Sequence, residues 1–320
     1  MVSNNINHTF FLYLAHLIIS IIDKFLYLSI KILLIYRSTI QLLRFHFSWL
    51  LMPVYWFALS FANEIYLPRA IVVFIILHLL VYPSSNGYNS YMDRDAGSIG
   101  GVKNPLQPTR QLFYTTVVID VIAILLSFFI SALFATCVLI YIIFSRMYSY
   151  RRVRLKQYPV LGYFTVIITQ GALTFFMVYH GSELYLSNHV SWLGLLAAAF
   201  LIGGFYPVTQ VYQHEADKKD NVTTISMIMG TKGTFVFCAV MYTVSLFILW
   251  LYYSARELYM LFIVLLIFFL PVVVYFMQWF LKVLKDENKA DFKHTMQMNW
   301  LASTCTSLAF ITIILLQKFG

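Results

Sequence analysis

Long apolar runs, separated by short and long polar stretches in turn, dominate the chain. A helix that crosses the hydrocarbon of a bilayer needs about 17–25 predominantly apolar residues. Nine runs read as such spans, at roughly 46–63, 67–89, 110–130, 132–149, 158–180, 188–212, 232–253, 257–283 and 297–317. The pattern predicts an all-α integral membrane protein, a bundle of nine transmembrane helices. Every second connection is a few residues, as in Ala62–Pro68 and Gly181–Ser187. The others are longer and polar, at 90–109, 150–157, 213–231 and 284–296.

Residues 9–36 are apolar too, but His16, Ser20, Asp23, Lys24, Tyr27 and Lys31 interrupt them every three or four positions and share one helical face. A polar stripe with an ion pair at its centre predicts an extra N-terminal amphipathic helix, lying in the interface or against the bundle. A tenth span is the alternative. Met1–Thr9 lacks the positive start of a signal peptide, and no small-residue cleavage site follows. The expected organisation is a peripheral helix in 1–38 and a membrane domain in 39–320.

Composition narrows the class. The chain is 61% hydrophobic and 11% charged, where a soluble domain is about a quarter charged. Too few charges remain to cover a soluble surface of this size, which excludes an ordinary cytosolic enzyme, a disordered protein and a small disulfide scaffold. The three cysteines, Cys137, Cys238 and Cys305, lie far apart in apolar runs and form no CxxC pair. The net charge of +9 is explained by its distribution. Seventeen Lys and Arg residues fall in the long connections or just before the first span, against Arg69, Arg256 and Lys318 on the other side. The long connections are therefore expected in the cytoplasm, and no nucleic-acid partner is needed to account for the charge.

Acids are scarce, so their placement is informative. Asn89 and Asp93 stand four apart where the second span ends, followed by Asp95. Gln213 and Asp217 stand four apart where the sixth span ends, with Gln210 about one turn back and Glu215 and Asp220 nearby. On a helix each set lines one face. Two oxygen-rich faces at one membrane depth suit Mg²⁺, which takes one or two carboxylates plus waters and phosphate oxygens. Solvated loop acids paired with neighbouring cations would explain one such cluster; two in matching positions favour a site. Between them, Arg146, Arg151, Arg152, Arg154 and Lys156 follow the fourth span, interleaved with Tyr148 and Tyr150. Such a run either neutralises a diphosphate or anchors the protein to anionic headgroups. Asp120, inside the third span, marks a functional group or a buried pair. His78 reads as a packing residue, and His214 as a diphosphate ligand or a loop residue.

These motifs resemble those of the UbiA superfamily of intramembrane prenyltransferases. The family's NxxxDxxxD motif matches Asn89-Ser90-Tyr91-Met92-Asp93-Arg94-Asp95-Ala96-Gly97, with Gly97 in place of the last Asp. Its second motif, DxxxD or DxxDxxxD, falls on Gln210, Gln213 and Asp217, of which only Asp217 is acidic. Three flanks are also similar: Leu42-Leu43-Arg44-Phe45-His46, Tyr148-Ser149 with Arg154-Leu155-Lys156 and Tyr158-Pro159-Val160-Leu161-Gly162, and Met227-Ile228-Met229-Gly230-Thr231-Lys232-Gly233. Lys103-Asn104-Pro105 stands where the family often has Arg-Pro. The similarity covers about 40–317.

The resemblance implies a nine-helix UbiA-like bundle that uses Mg²⁺ and a prenyl diphosphate and transfers the prenyl chain to a lipophilic acceptor, an aromatic one among the options. Asp93 and Asp217 would be the catalytic metal ligands, joined by Asn89, Gln210 and Gln213 as neutral ligands. Arg151, Arg152, Arg154, Lys156, Lys103 and Lys218 would meet the diphosphate. Cyclisation of the prenyl diphosphate, as in UbiA-type terpene cyclases, and a non-catalytic protein that has lost its metal site are the other readings. Because Asp93 and Asp217 lie at polar helix ends, Asp→Asn at either is expected to stop turnover and leave folding intact.

Overall fold

The computed structural model describes residues 35–319. Among them nine helices are long and apolar enough to cross a membrane: α1 (Arg37–Ser60), α2 (Leu67–Asp93), α3 (Arg110–Ser127), α4 (Ala132–Ser149), α5 (Pro159–Ser182), α6 (Trp192–Lys219), α7 (Ile225–Ser254), α8 (Tyr259–Lys285) and α9 (Phe292–Phe319). Each predicted span is found. The N-terminal amphipathic helix expected over 9–36 lies almost wholly outside the described residues.

The helices start where local chemistry allows. Pro68 and Pro159 sit in the first turns of α2 and α5, where a missing N–H costs nothing. The hydroxyls of Ser131 and Thr224 accept from the amides of Phe134 and Met227 and so cap α4 and α7. Three starts are earlier than the apolar pattern indicates, those of α1, α7 and α9, the last at Phe292. α1 begins at Arg37 because its first turns are amphipathic, and it bends at Arg44, whose φ of 50° is left-handed. α7 begins at Ile225 and is interrupted at Gly230, where φ is 67° and ψ is 170°, a conformation that glycine adopts readily.

Lipid offers little hydrophobic drive for helix association, so close packing and internal polar contacts hold the bundle. Phe57 of α1 stacks on Phe310 of α9 at 4.5 Å and meets Phe175 of α5 at 4.8 Å. Gly171 lets α5 approach α6 so closely that a Cβ there would stand 2.7 Å from Ala199 Cα. Asp120 resolves as a buried pair. It receives Arg146 Nε at 3.0 Å and Ser84 Oγ at 2.6 Å, which ties α2, α3 and α4 together. The Arg146 guanidinium also lies 4.0 Å from the centre of the Tyr88 ring. His78 is a packing residue, with Nδ1 3.0 Å from Ser48 O and its ring stacked on Phe74.

The long connections gather at one end. Arg151 joins the α4–α5 connection to the end of α2 and to Asp220, Gln213 reaches Ser98, and Lys232 meets Glu287 at 3.2 Å. At the other end Arg69 donates to the carbonyls of Glu183 and Leu184.

Candidate functional site

The end of α2 where the long connections gather is shaped by Pro83. Its ring and missing N–H are incompatible with a regular helix one turn earlier, and the chain answers with a π-helical turn at Ile75–Val81. Beyond it the polar residues of Tyr82–Asp93 face inward, and α2 stops at Arg94, which is left-handed with φ 54° and whose N–H returns to Ser90 O. Asn89 Nδ2 then donates to Asp93 Oδ2 and to Ser149 Oγ of α4, both at 2.9 Å. The Asp93 side chain is 4% exposed. Lys156 Nζ lies 2.6 Å from its Oδ2, Arg154 Nη2 lies 3.7 Å from its Oδ1, and Oδ1 has no hydrogen bond. Asp93 is thus a buried member of an ion cluster rather than a solvated helix-end carboxylate.

α6 arrives from the opposite side. It tightens to a 3₁₀ stretch over Pro207–Gln213 before a last turn, His214–Lys219. Gln210 is buried, and its Nε2 donates to Tyr206 Oη at 2.8 Å, which in turn bonds Tyr148 Oη of α4. Gln213 Nε2 reaches Ser98 O at 3.4 Å, and His214 Nε2 lies 2.7 Å from Ser226 Oγ.

Asn89, Asp93, Gln210, Gln213 and Asp217 all line one cavity of about 210 Å³, with Lys156 and Asp95. The other cations named from sequence divide. Arg154 is buried with φ 44°, and its guanidinium donates to the backbone carbonyl of Asp220 and pairs with the Asp220 carboxylate; it does not line the cavity. Arg151 donates to the carbonyls of Met92 and Asp93, satisfying the C-terminal end of α2, and to Asp220 at 3.2 Å. Arg152, Lys103 and Lys218 are exposed and do not line the cavity.

Charge at this end is finely balanced. Burial raises the Asp95 carboxyl above its ordinary value, helped by the Asp93 charge and opposed by Lys156 and Arg44. Burial pulls the same way at Asp220, but the hydrogen bonds and charges of Arg154 and Arg151 outweigh it and hold that carboxyl below the usual range.

Among the lining residues with no assigned role in the sequence are Arg44 and Asn299. Arg44 is buried, and its guanidinium donates to Gly100 O at 3.3 Å and Asn86 O at 3.2 Å. Asn299 of α9 is fully buried, with no partner for either amide atom. The similar flank around Arg44 was a signal for the first. A lone Asn in an apolar span was the only signal for the second.

An apolar cavity of about 250 Å³ continues from the polar one between α1, α6, α7, α8 and α9, sharing Leu51, Ile202 and Phe205 with it. It opens into a groove between α7 and α8 at Val236 and Val240, both about half exposed on the outer face of the bundle. Among the described residues no group of three or more His, Cys, Asp or Glu side chains is arranged to hold a metal ion unaided. A cation here would need water and ligand oxygens as well. The site can therefore hold a polyanionic head at the polar end and a long apolar chain behind it.

Solved structures share this fold. A UbiA homologue from Archaeoglobus fulgidus bound to DMAPP and Mg²⁺ is 18% identical, with a TM-score of 0.63 over 87% of this chain and 99% of that one. An apo UbiA homologue from Aeropyrum pernix K1 is 14% identical, with a TM-score of 0.63 over 86% and 98%. A structure of digeranylgeranylglyceryl phosphate synthase is 19% identical, with a TM-score of 0.57 over 87% and 98%. No curated protein sequence matches the chain. The profile of the UbiA prenyltransferase family matches residues 50–302, so this multi-pass membrane protein belongs to the UbiA prenyltransferase family.

Proposed function

We propose that the protein transfers an isoprenyl group from a prenyl diphosphate to a lipophilic acceptor inside the membrane, with Mg²⁺ as cofactor and the diphosphate end of the site on the cytoplasmic side. The observation that carries this reading is the meeting of the α2 and α6 ends, with Lys156, in one polar cavity that runs on into an apolar one. Archaeoglobus fulgidus homologues of the same fold bind DMAPP or GPP with Mg²⁺, and the excess of Lys and Arg in the long connections supports this orientation.

The residues present fit Mg²⁺. Asp93 has a buried, unpartnered Oδ1 and Gln210 a buried, unpartnered Oε1, and hard oxygen donors of this kind, few in number, leave room for phosphate oxygens and water. Asp93 and Asp217 would hold the ion, with Asn89, Gln210 and Gln213 as neutral ligands, directly or through water. Bound there, Mg²⁺ would supply positive charge beside the departing diphosphate.

The chain's own residues do the rest. Lys156, fixed against Asp93, places an ammonium beside the leaving group, with Arg151 and Arg154 behind it on Asp93 and Asp220 and Arg152, Lys103 and Lys218 as an exposed basic rim. The apolar cavity holds the prenyl tail and keeps water from the reacting carbon. The C1–O bond breaks with its electron pair leaving on the diphosphate. The acceptor nucleophile bonds to the allylic carbon and releases a proton.

The test is diphosphate release by the protein in nanodiscs. Geranyl, farnesyl and geranylgeranyl diphosphate are offered with Mg²⁺, then with EDTA, and the organic products are extracted. Mg²⁺-dependent release that rises when a membrane lipid extract is added, with prenylated lipid as product, is the expected result. Cyclic hydrocarbons formed without acceptor would replace transfer by cyclisation. No release with any chain, lipid extract included, would make the protein non-catalytic.

A further inference from the structure

We infer that Lys156 keeps Mg²⁺ out of the empty site, so that the metal binds only after a diphosphate has drawn the ammonium off Asp93; the inference rests on the prenyl-transfer reading of the same cavity. Asp93 is the carboxylate that both cations need. Lys156 Nζ lies 2.6 Å from its Oδ2, and both side chains are nearly buried. The pairing is built into the chain. Arg154 is left-handed at φ 44° and anchored on Asp220, and the 3₁₀ turn Leu155–Gln157 that follows returns Lys156 to the end of α2.

Asp93 is held from both sides in the ligand-free protein. Its Oδ2 accepts from Asn89 Nδ2 at 2.9 Å as well as from Lys156. Its Oδ1 has no hydrogen bond, yet the Arg154 guanidinium stands 3.7 Å away. A divalent cation on either oxygen would face the ammonium across one carboxylate. Like charges that close repel strongly where the side chains are nearly buried, and Mg²⁺ gives up its water reluctantly. The other oxygen donors do not offset this. Gln210 and Gln213 carry no charge, and Arg44 lines the cavity together with Asp95 and Asp217.

A prenyl diphosphate reverses the balance. Lysine carries a compact charge on a flexible stem, so its ammonium passes from Oδ2 to a phosphate oxygen by side-chain rotation alone. Asp93 is then free, the repelling charge is neutralised, and the phosphate adds hard oxygens of the kind Mg²⁺ prefers. Linkage makes the effect mutual: the metal tightens the diphosphate by the factor by which the diphosphate tightens the metal. Each bound diphosphate thus admits its own metal. Its departure after transfer lets Lys156 close on Asp93 again and expel the ion.

The experiment uses the full chain in phosphatidylcholine nanodiscs, with Mn²⁺, counted by electron paramagnetic resonance, standing in for Mg²⁺. The wild type is expected to bind Mn²⁺ weakly alone and at least about tenfold more tightly with the unreactive farnesyl S-thiolodiphosphate, after correction for the complex the two form in empty nanodiscs. Lys156→Met should bind Mn²⁺ alone at least about tenfold more tightly than the wild type and the thiolodiphosphate more weakly. Its melting temperature should rise with Mn²⁺ alone, whereas that of the wild type should rise only with both ligands. Lys156→Arg, which keeps the charge, should bind Mn²⁺ alone as weakly as the wild type. Tight binding of Mn²⁺ by the wild type without thiolodiphosphate overturns the inference, and so does an unchanged Mn²⁺ affinity in Lys156→Met. If the wild type does not bind the thiolodiphosphate, the prenyl-transfer reading falls, while the arms with Mn²⁺ alone still judge the block by Lys156.

Discussion

Lys156 Nζ lies 2.6 Å from Asp93 Oδ2, with only 11% and 4% of the two side chains exposed. The connection after α4 and the acid end of α2 are thereby one ion-paired unit, before any ligand arrives.

Neutralising Asp93 therefore reaches folding as well as chemistry, contrary to what its place at a helix end implied. Removing one partner of a buried pair costs about 3–5 kcal/mol; Asp93→Asn keeps the shape and one acceptor oxygen, so the low end applies. We expect a clear drop in melting temperature together with loss of diphosphate release. Asp217→Asn, at a side chain with no ion pair within 4 Å among the described residues, is expected to lose release with little change in melting. Thermal melts of both variants in nanodiscs decide this.

Asp220 gives a pH signature. Its carboxyl is held below the usual range by Arg154 and Arg151, so its charge is worth more in the folded protein than in the unfolded chain. That stabilisation is fully present above the unfolded value of about 3.9 and is lost as pH falls through the lower folded value. The melting-temperature gap between wild type and Asp220→Asn should hold steady from pH 7 to about 5 and close on further acidification. A gap that widens in acid would contradict the ion-pair geometry.

Asp120 and Arg146 should behave as structure, not catalysis. Asp120→Ala leaves a buried guanidinium unpaired and is expected to cost about 3–5 kcal/mol, seen as poor folded yield. Replacing both partners with apolar residues, Asp120→Leu with Arg146→Met, should recover most of it. Turnover per folded molecule should be unchanged in the double variant; its loss would place chemistry in the bundle interior.

The α5–α6 contact leaves no room at Gly171. A methyl group there would meet Ala199 Cα at 2.7 Å and Ala198 O at 2.9 Å, both backbone. Gly171→Ala is expected to destabilise by about 1–3 kcal/mol. Gly97→Ala, where a Cβ meets nothing within 4 Å, is the neutral comparison in the same melting assay.

What was legible in the sequence follows from what each signal needs. A span needs only an unbroken apolar run, and all nine were readable. The pairing of Asn89–Asp93 with Gln213–Asp217 was readable because helical spacing and matching ends are properties of the chain itself. Asn299 and the partner of Asp120 were not, because an isolated polar residue in an apolar run carries no record of what stands opposite it. Nor could charge alone separate Lys156, inside the cavity, from Arg152 and Lys103 on the surface. That separation depends on left-handed turns at Arg94 and Arg154, and neither is glycine, so the usual sequence mark of such a turn is absent.

The π-helical turn at Ile75–Val81 makes the position of Asn89 and Asp93 a matter of residue count, not of residue identity. It holds one residue more than an α-helix would between the fixed outer half of α2 and its acid end. Deleting one residue there would let the turn relax to a regular helix with the downstream residues facing as before, whereas inserting a further one would swing them by about 100° about the axis. Both motif residues would then point away from Lys156 and Asp217, although every letter of the motif was still in place. An insertion in α2, which leaves the motif intact on paper, is therefore as damaging to this site as a substitution within it, while a single deletion at the turn is not.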